Sequence, residues 1–238
     1  MDRSKIIELK SLLEAKISRA GNLARMRPEE LAQIPFEEIP FWVVDVETTG
    51  GYASQHRIIE IAAIKVQESA MPREIHTLVN PGCFIPYRIQ QLTRITNQMV
   101  SAAPKSEEVF PWLFSHLKNG VFVAHSVSFD RSFVDWEAKR LGIKPLEIPN
   151  LCTVRLSRRL IFDSPGHSLD HLAWYFGLEF GWEVGPKNRH RALGDALVCA
   201  RILLALFALS KKIGIRTFAE LKQLESMPIK KAKLLWKA

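Results

Sequence analysis

The stretch Phe41-Trp-Val-Val-Asp45-Val-Glu47-Thr-Thr-Gly-Gly51 decides the fold of this chain. Its apolar run, rich in valine and aromatic residues, predicts a buried β-strand over residues 41–47. Because side chains alternate between the two faces of a strand, Asp45 and Glu47 share one face. Neighbouring buried carboxylates repel each other and are costly to desolvate, and Mg²⁺ or Mn²⁺ bound by their oxygens removes that cost. The alternative is a strand end whose acids lie in solvent.

The sequence beyond this strand predicts an α/β domain. Further apolar runs predict strands at 58–66, 74–79, 121–124 and 151–153. The short links between the first three strands favour an antiparallel meander. Helical spacing between proline, glycine and capping residues predicts helices at 104–117, 129–140, 154–162, 168–176 and 191–209. Three strands followed by alternating helices and strands are typical of a mixed sheet flanked by helices.

Two segments extend this domain, which we expect to span residues 40–208. Residues 1–39 show helical spacing and predict a helical N-terminal extension, and residues 209–238 predict a basic helical tail. The chain carries a net charge of +8, and residues 208–238 hold eight Lys and Arg against two Glu. Such a tail favours a polyanionic partner, and the alternative is a solvated cationic surface that aids solubility.

Cysteine usage and hydropathy bear on the compartment. The three cysteines, Cys83, Cys152 and Cys199, are odd in number and far apart, which favours a reducing, cytoplasmic location without a cysteine-based zinc site. We expect no membrane-spanning run, since a bilayer needs about 20 apolar residues.

Two later stretches supply chemistry that the first strand lacks. Asp130 follows His125 where a strand runs into a helix, and Asp195 follows His190 at the start of an apolar helix. Taken singly, Asp130 could cap its helix, His190 could be an exposed loop residue, and Asp195 could be a satisfied core acid. Together with the first strand they give four carboxylates and one histidine. That set matches a two-metal phosphodiesterase, which needs oxygen ligands and a base for water.

The order and spacing of these motifs resemble the DEDDh family of 3′–5′ exonucleases, and in particular the proofreading epsilon subunit of bacterial DNA polymerase III. The three family motifs correspond here to Asp45–Gly50, His125–Asp130 and His190–Asp195, and a fourth family stretch corresponds to Leu92–Thr96. The resemblance covers about residues 41–207. It implies a ribonuclease H-like fold with a mixed five-stranded sheet and helical extensions.

The resemblance also implies roles for individual residues. Two divalent cations, Mg²⁺ or Mn²⁺, would be held by Asp45, Glu47, Asp130 and Asp195, with Asp45 bridging both, and His190 would be the general base. The terminal nucleotide would be bound by Thr48, Thr49, Thr93 and Phe129. Two departures from the family pattern put substrate preference in doubt: Ser126 replaces an Asn, and Arg94 replaces a Gly.

The implied activity is a metal-dependent 3′–5′ exonuclease acting on single-stranded or frayed DNA ends, in proofreading or repair. An RNA 3′-end trimming enzyme with the same chemistry is an alternative, because motifs alone do not show how a 2′-OH is read. A non-catalytic module that binds nucleic acid or a replication partner is a further alternative, disfavoured by the intact motif set. A polymerase or other replication or repair protein is an expected partner through the terminal extensions.

Overall fold

The computed structural model describes residues 30, 32–178 and 189–236. Its strands are β1 (Phe41–Thr48), β2 (Ile58–Gln67), β3 (Ala70–Leu78), β4 (Val121–Ala124) and β5 (Asn150–Cys152). Its α-helices are α1 (Tyr87–Thr93), α2 (Asn97–Ser101), α3 (Ser106–Leu117), α4 (Val127–Arg140), α5 (Thr153–Leu160), α6 (Leu169–Tyr175), α7 (Ala192–Lys212), α8 (Phe218–Ser226) and α9 (Ile229–Ala232). Of the helical extension predicted over residues 1–39, residues 1–29 and 31 lie outside the described residues.

The strands form one mixed sheet in the order β3-β2-β1-β4-β5. The strand β1 pairs antiparallel with β2 and parallel with β4, and β4 pairs parallel with β5. Glu47 lies directly opposite Glu60 on β2, and the register shifts between Glu47 and Thr48. This topology confirms both the antiparallel meander and the mixed five-stranded sheet of a ribonuclease H-like exonuclease fold.

Alternation along β1 divides the core between the two faces of the sheet. Phe41 and Val43 pack on the face covered by α7, where the Phe41 ring lies 4.9 Å from that of Phe207. Trp42 and Val44 pack on the opposite face, against α3 and α4. Because Asp45 and Glu47 continue the first series, they lie on the α7 side at the end of β1.

The helix α7 is the central helix of the first face. By length and composition alone it could cross a membrane, with a mean hydropathy of 2.1 over 18 residues, although we expected no run of that kind. In the fold 61% of that window is buried. Burial on this scale is typical of a core helix packed against a sheet.

The C-terminal segment packs on the same core. Phe218, Leu221 and Leu224 of α8 are buried in it. Thr217 and Glu220 form a capping box at the start of α8, with Thr217 Oγ1 accepting from the Glu220 N–H and the Glu220 carboxylate accepting from the Thr217 N–H. Apolar packing therefore ties at least residues 218–224 to the domain.

Side chains of α8 also cover the exposed edge of β5. Glu225 Oε1 accepts from the Cys152 N–H at 2.8 Å, and Lys222 Nζ donates to the Asn150 carbonyl at 2.8 Å. Unpaired groups on an edge strand otherwise invite pairing with another chain. The helix therefore protects this edge of the sheet.

Some elements differ from the sequence-based predictions. The helices α1 and α2 were not predicted, because each is short and its apolar positions do not repeat over several turns. The strand β3 begins at Ala70 and not at 74, after a tight turn in which Glu68 and Ser69 have φ of 51° and 60°. Such turns favour Asn-Gly, so this pair gives no sequence signal.

Candidate active site

The end of β1 and the first turn of α7 bring three acids together. Asp45 and Glu47 come from the strand, and Asp195 comes from the helix. One carboxylate oxygen of each lies within 4.8 Å of the others. This is the convergence expected of these residues, and oxygen ligands at such separations suit a hard divalent cation.

Asp130 lies beside this group without being one of the three. It is buried in the first turn of α4, and its Oδ1 accepts from the Val46 N–H at 3.2 Å. Its charge contributes to raising the pKa of Asp45, after the larger effect of burial. The fourth predicted acid therefore contacts the backbone between Asp45 and Glu47 from the opposite layer of helices.

Burial raises the pKa of all four carboxyls, and repulsion from neighbouring carboxylates adds to the rise. Burial, and then the charge of Asp195, raises the pKa of Glu47 to about 8. Burial raises the pKa of Asp130 to about 7 and that of Asp195 to about 6. Burial and then Asp130 raise the pKa of Asp45 well above its ordinary value. Simultaneous ionisation of the four carboxyls is therefore unfavourable unless a positive charge lies beside them.

The residues present fit a metal ion. Asp195 Oδ1 is buried and has no hydrogen-bond partner among the described residues. A buried carboxylate oxygen without a partner carries a large desolvation cost, which a bound cation would offset. The donors are all carboxylate oxygens, which Mg²⁺ and Mn²⁺ prefer.

Arg189 places a positive charge against the same group. Its Nη1 donates to Asp195 Oδ2, and its Nε donates to Asp170 Oδ1 at 2.6 Å. The Arg189 charge opposes the rise in pKa of Asp45, Glu47 and Asp195. Sequence reasoning missed this arginine, because nothing in its spacing shows that it folds back onto Asp195.

His190 precedes α7 in a turn, as predicted, with φ of 60°. It is half-buried. Burial, followed by the charges of Arg189 and Arg94, lowers the pKa of its imidazole. A lowered pKa keeps the ring neutral near pH 7, which is the form that accepts a proton. Residues 179–188, which precede this turn, lie outside the described residues.

Thr48, the last residue of β1, and Thr49, the first residue after it, both form hydrogen bonds with the backbone. Thr48 Oγ1 donates to the Gly50 carbonyl at 2.7 Å, and Thr49 Oγ1 accepts from the Arg57 N–H at 3.0 Å. A Cβ on Gly50 would lie 2.2 Å from the His56 ring, so any other residue there would force this ring to shift. Both threonines are buried, and their hydroxyls already have protein partners.

The other residues expected to hold substrate lie on α1 and α4. Thr93 is buried, with Oγ1 donating to the Ile89 carbonyl at 2.9 Å and accepting from the Ile95 N–H at 3.2 Å. Phe129 is 37% exposed, so its ring is available for contact. Arg94 ends α1 in the left-handed region at φ 61°. A glycine adopts this conformation without strain, which explains why the family pattern has a glycine where this chain has Arg94.

The second motif also contains His125 and Ser126. The His125 Nδ1 lies 3.0 Å from Thr153 Oγ1, and its Nε2 lies 3.0 Å from the His167 carbonyl. Burial lowers the pKa of His125 to about 4, so the ring is a neutral structural link. Ser126 is exposed and its side chain makes no cap bond to α4.

A groove of about 390 Å³ lies at the opposite end of β1 from the acids. Trp42, Lys65, Arg73 and His116 are among its lining residues, and none of the described residues that line it carries a carboxylate. Without acidic ligands it does not suit a hard divalent cation. The acidic group is therefore the better candidate site for a divalent cation.

Comparison with known proteins agrees with this geometry. The family model described as Exonuclease (RNase T) matches residues 42–203. This chain belongs to the DEDD exonuclease family. It is thus a hydrolase, related to the epsilon subunit of DNA polymerase III and to the exonuclease domains of PolC-type polymerases.

Two curated relatives show the extent of the similarity. The DNA polymerase III subunit epsilon of Aquifex aeolicus is 36% identical over 186 residues, which cover 78% of this chain and 89% of that protein. The PolC-type DNA polymerase III of Thermotoga petrophila is 37% identical over 191 residues, or 80% of this chain. The match spans only 13% of that polymerase.

Solved structures share the fold. Exonuclease X in complex with 5′ overhanging duplex DNA has a TM-score of 0.60 and 25% identity, covering 78% of this chain and 99% of that one. E. coli Exonuclease I in complex with a dT13 oligonucleotide has a TM-score of 0.64 at 17% identity, covering 74% and 42%. The second likeness concerns the fold alone.

Proposed function

We propose that this exonuclease shortens single-stranded or frayed DNA from its 3′ end, releases nucleoside 5′-monophosphates, and requires two divalent cations, Mg²⁺ or Mn²⁺. The observation that carries the proposal is the convergence of Asp45, Glu47 and Asp195, with Asp195 Oδ1 buried and lacking a described partner. Asp130 adjoins the same strand through the Val46 N–H.

Different sets of acids would bind the two cations. Asp45, Glu47 and Asp195 would hold the first cation, and Asp130 would share the second with Asp45. When bound, the cations lower the pKa of a water molecule and stabilise charge on the attacking and leaving oxygens. The raised pKa values of the acids mean that cation binding displaces protons, so binding strengthens as pH rises.

His190 would act as the general base. Its lowered pKa keeps it neutral at working pH, so it accepts the proton of the attacking water. It lies two residues before the start of α7, whereas Asp195 lies in the first turn of that helix. One helix N-terminus therefore presents both the base and a metal ligand.

The substrate would meet the site through the α1 and α4 segments. Phe129 offers an exposed ring for stacking on a base, which is how single strands are commonly held. The hydroxyls of Thr48, Thr49 and Thr93 are bound to the backbone, so these residues shape the pocket for the terminal nucleotide.

DNA is the favoured substrate because of the relatives. The Aquifex relative is named as a subunit of a DNA polymerase, and Exonuclease X was solved with DNA. We further propose a cytoplasmic role in proofreading or repair, with a polymerase or repair protein contacting the extensions at 1–39 and 209–238 outside the exonuclease domain at 40–208.

Matched DNA and RNA oligonucleotides test this function. With a 5′ label and Mg²⁺, DNA should give a ladder of products shortened from the 3′ end, and a 3′-phosphate should block it. A labelled mononucleotide as the first product would show the opposite polarity. Faster cleavage of RNA than of DNA would favour the RNA-trimming alternative.

A further inference from the structure

Glu60 is a fully buried acid on β2 that forms an ion-pair network next to the active site. It has no exposed surface, and it lies directly opposite Glu47 in the β1–β2 register. Its Oε1 lies 2.8 Å from His76 Nε2. Arg191 Nε donates to both of its oxygens at 3.0 Å, and Arg191 Nη2 donates to Oε1 at 2.5 Å.

The same carboxylate caps α7. Glu60 Oε2 accepts from the Ala192 N–H, the first amide of the helix, at 2.8 Å. Arg191 occupies the N-cap position, and its own side chain makes no cap bond. A negative charge at a helix N-terminus also interacts favourably with the helix dipole. A residue on the neighbouring strand thus supplies the cap that the helix lacks locally.

This cap fixes the part of α7 that carries the chemistry. Asp195 lies three residues after Ala192, and its N–H donates to the Arg191 carbonyl at 3.1 Å. His190 directly precedes Arg191. Glu60 therefore ties the base and one acid to the strand that pairs with β1, which carries Asp45 and Glu47.

We propose that Glu60, acting through Arg191 and the Ala192 N–H, is a positioning residue that sets the separation of Asp195 from Asp45 and Glu47 and orients His190. The inference rests on the proposed metal-dependent function and adds a determinant outside the four motif acids. Residues that orient metal ligands in this way are commonly worth about 10–100-fold in metal affinity or activity.

A purely structural role makes a different prediction. If the network only stabilised the fold, weakening it would lower the melting temperature and leave metal affinity unchanged. The effect on position is tested by Glu60→Asp, which keeps the charge and shortens the reach by one methylene group. Glu60→Gln keeps the length and removes the charge.

Glu225 provides a matched control. It is 3% exposed, accepts from the Cys152 N–H at 2.8 Å and accepts from Arg155 Nε at 3.0 Å. It thus combines a backbone amide and an arginine as Glu60 does, but it lies on α8 against β5. Glu225→Asp and Glu225→Gln disturb a similar network away from α7.

The experiment measures Mn²⁺ affinity by calorimetry, thermal unfolding, and kcat and KM on single-stranded DNA for all variants. We expect the Glu60 variants to bind Mn²⁺ at least about tenfold more weakly and to lose kcat with little change in KM. The Glu225 variants should keep wild-type Mn²⁺ affinity. If Glu60→Asp does not fold, Arg191→Lys, which removes the bidentate geometry, is measured in the same way and decides the question.

Three outcomes would overturn the inference. Wild-type Mn²⁺ affinity in folded Glu60 variants, or equal losses in the Glu60 and Glu225 pairs, would assign Glu60 to stability alone while leaving the proposed function intact. Absence of Mn²⁺ binding by the wild-type protein would instead refute the metal-dependent function, and this inference with it.

Discussion

Raising the pH in the presence of a chelator should destabilise this protein, because its acidic group holds protons in the folded state. Burial and the charge of Asp195 raise the pKa of Glu47 to about 8. An acid with a higher pKa in the folded than in the unfolded state contributes stability at low pH. That contribution is lost as pH rises towards the folded pKa.

The size of the effect follows from that pKa. With an unfolded pKa of about 4.3, Glu47 alone should cost about 1 kcal/mol of unfolding free energy between pH 7 and 8. Asp130, with its pKa raised to about 7, changes in the same direction, as does Asp45. His125 and His190, whose pKa values are lowered in the folded state, contribute little over this interval, because an unfolded histidine with a pKa of about 6.5 is already mostly neutral at pH 7.

Urea unfolding in excess chelator at pH 7.0, 7.5 and 8.0 measures the effect. The matched variant is Glu47→Gln, which cannot ionise and also relieves repulsion on Asp45 and Asp195. Between pH 7 and 8, the variant should lose about 1 kcal/mol less unfolding free energy than the wild type loses. Saturating Mg²⁺ should stabilise the wild type by mass action. Equal pH slopes in the two proteins would refute the account of the acidic group.

Four further variants test the roles assigned to particular residues. His190→Ala should lose about 10²–10⁴-fold in rate and keep its calorimetric Mn²⁺ affinity, whereas Asp45→Ala should lose both; equal affinities would contradict the separate roles. Arg94→Gly should gain up to about 1 kcal/mol in urea unfolding, because a left-handed arginine is strained. Since the Arg94 charge helps to lower the pKa of His190, its removal should also move the acid limb of kcat/KM to higher pH. The double variant Lys230→Gln, Lys231→Gln should flatten the slope of log K for single-stranded DNA against log salt by about 0.7 for each phosphate that these lysines neutralise, with kcat unchanged. An unchanged slope would leave these lysines merely solvated.

Much of the fold could be predicted from local patterns. The period of two along β1 placed Asp45 and Glu47 on one face, and α7 indeed brings Asp195 to that face. The family motifs identified the remaining acid and the histidine. Such patterns predict a strand or helix correctly where one of its faces is buried, because the buried positions must then be apolar.

Contacts between distant residues could not be predicted. Glu60 and Arg191 are 131 residues apart, and only the packing of α7 on β2 brings them together. The sequence offered one signal, an acid inside the apolar run of the second strand. Arg189 contacts both Asp170 and Asp195. No sequence pattern indicates this contact, since an arginine near a motif is usually solvated.

Deleting the basic tail at residues 209–238 is a poor test of the role of its charge, because this segment also packs on the core. Phe218, Leu221 and Leu224 are buried in the core, and α8 covers the edge of β5. Removing them would expose apolar surface and an unpaired strand edge. Changing surface lysines keeps this packing and isolates the charge.

Single-turnover cleavage of 5′-labelled single-stranded DNA, in excess chelator and after Mg²⁺ is restored, tests the central claim most directly. We expect no products in chelator, full recovery of 3′-shortened products with Mg²⁺, and no recovery for Asp195→Asn. Undiminished cleavage in chelator, or full Mg²⁺-dependent activity in Asp195→Asn, would contradict the claim.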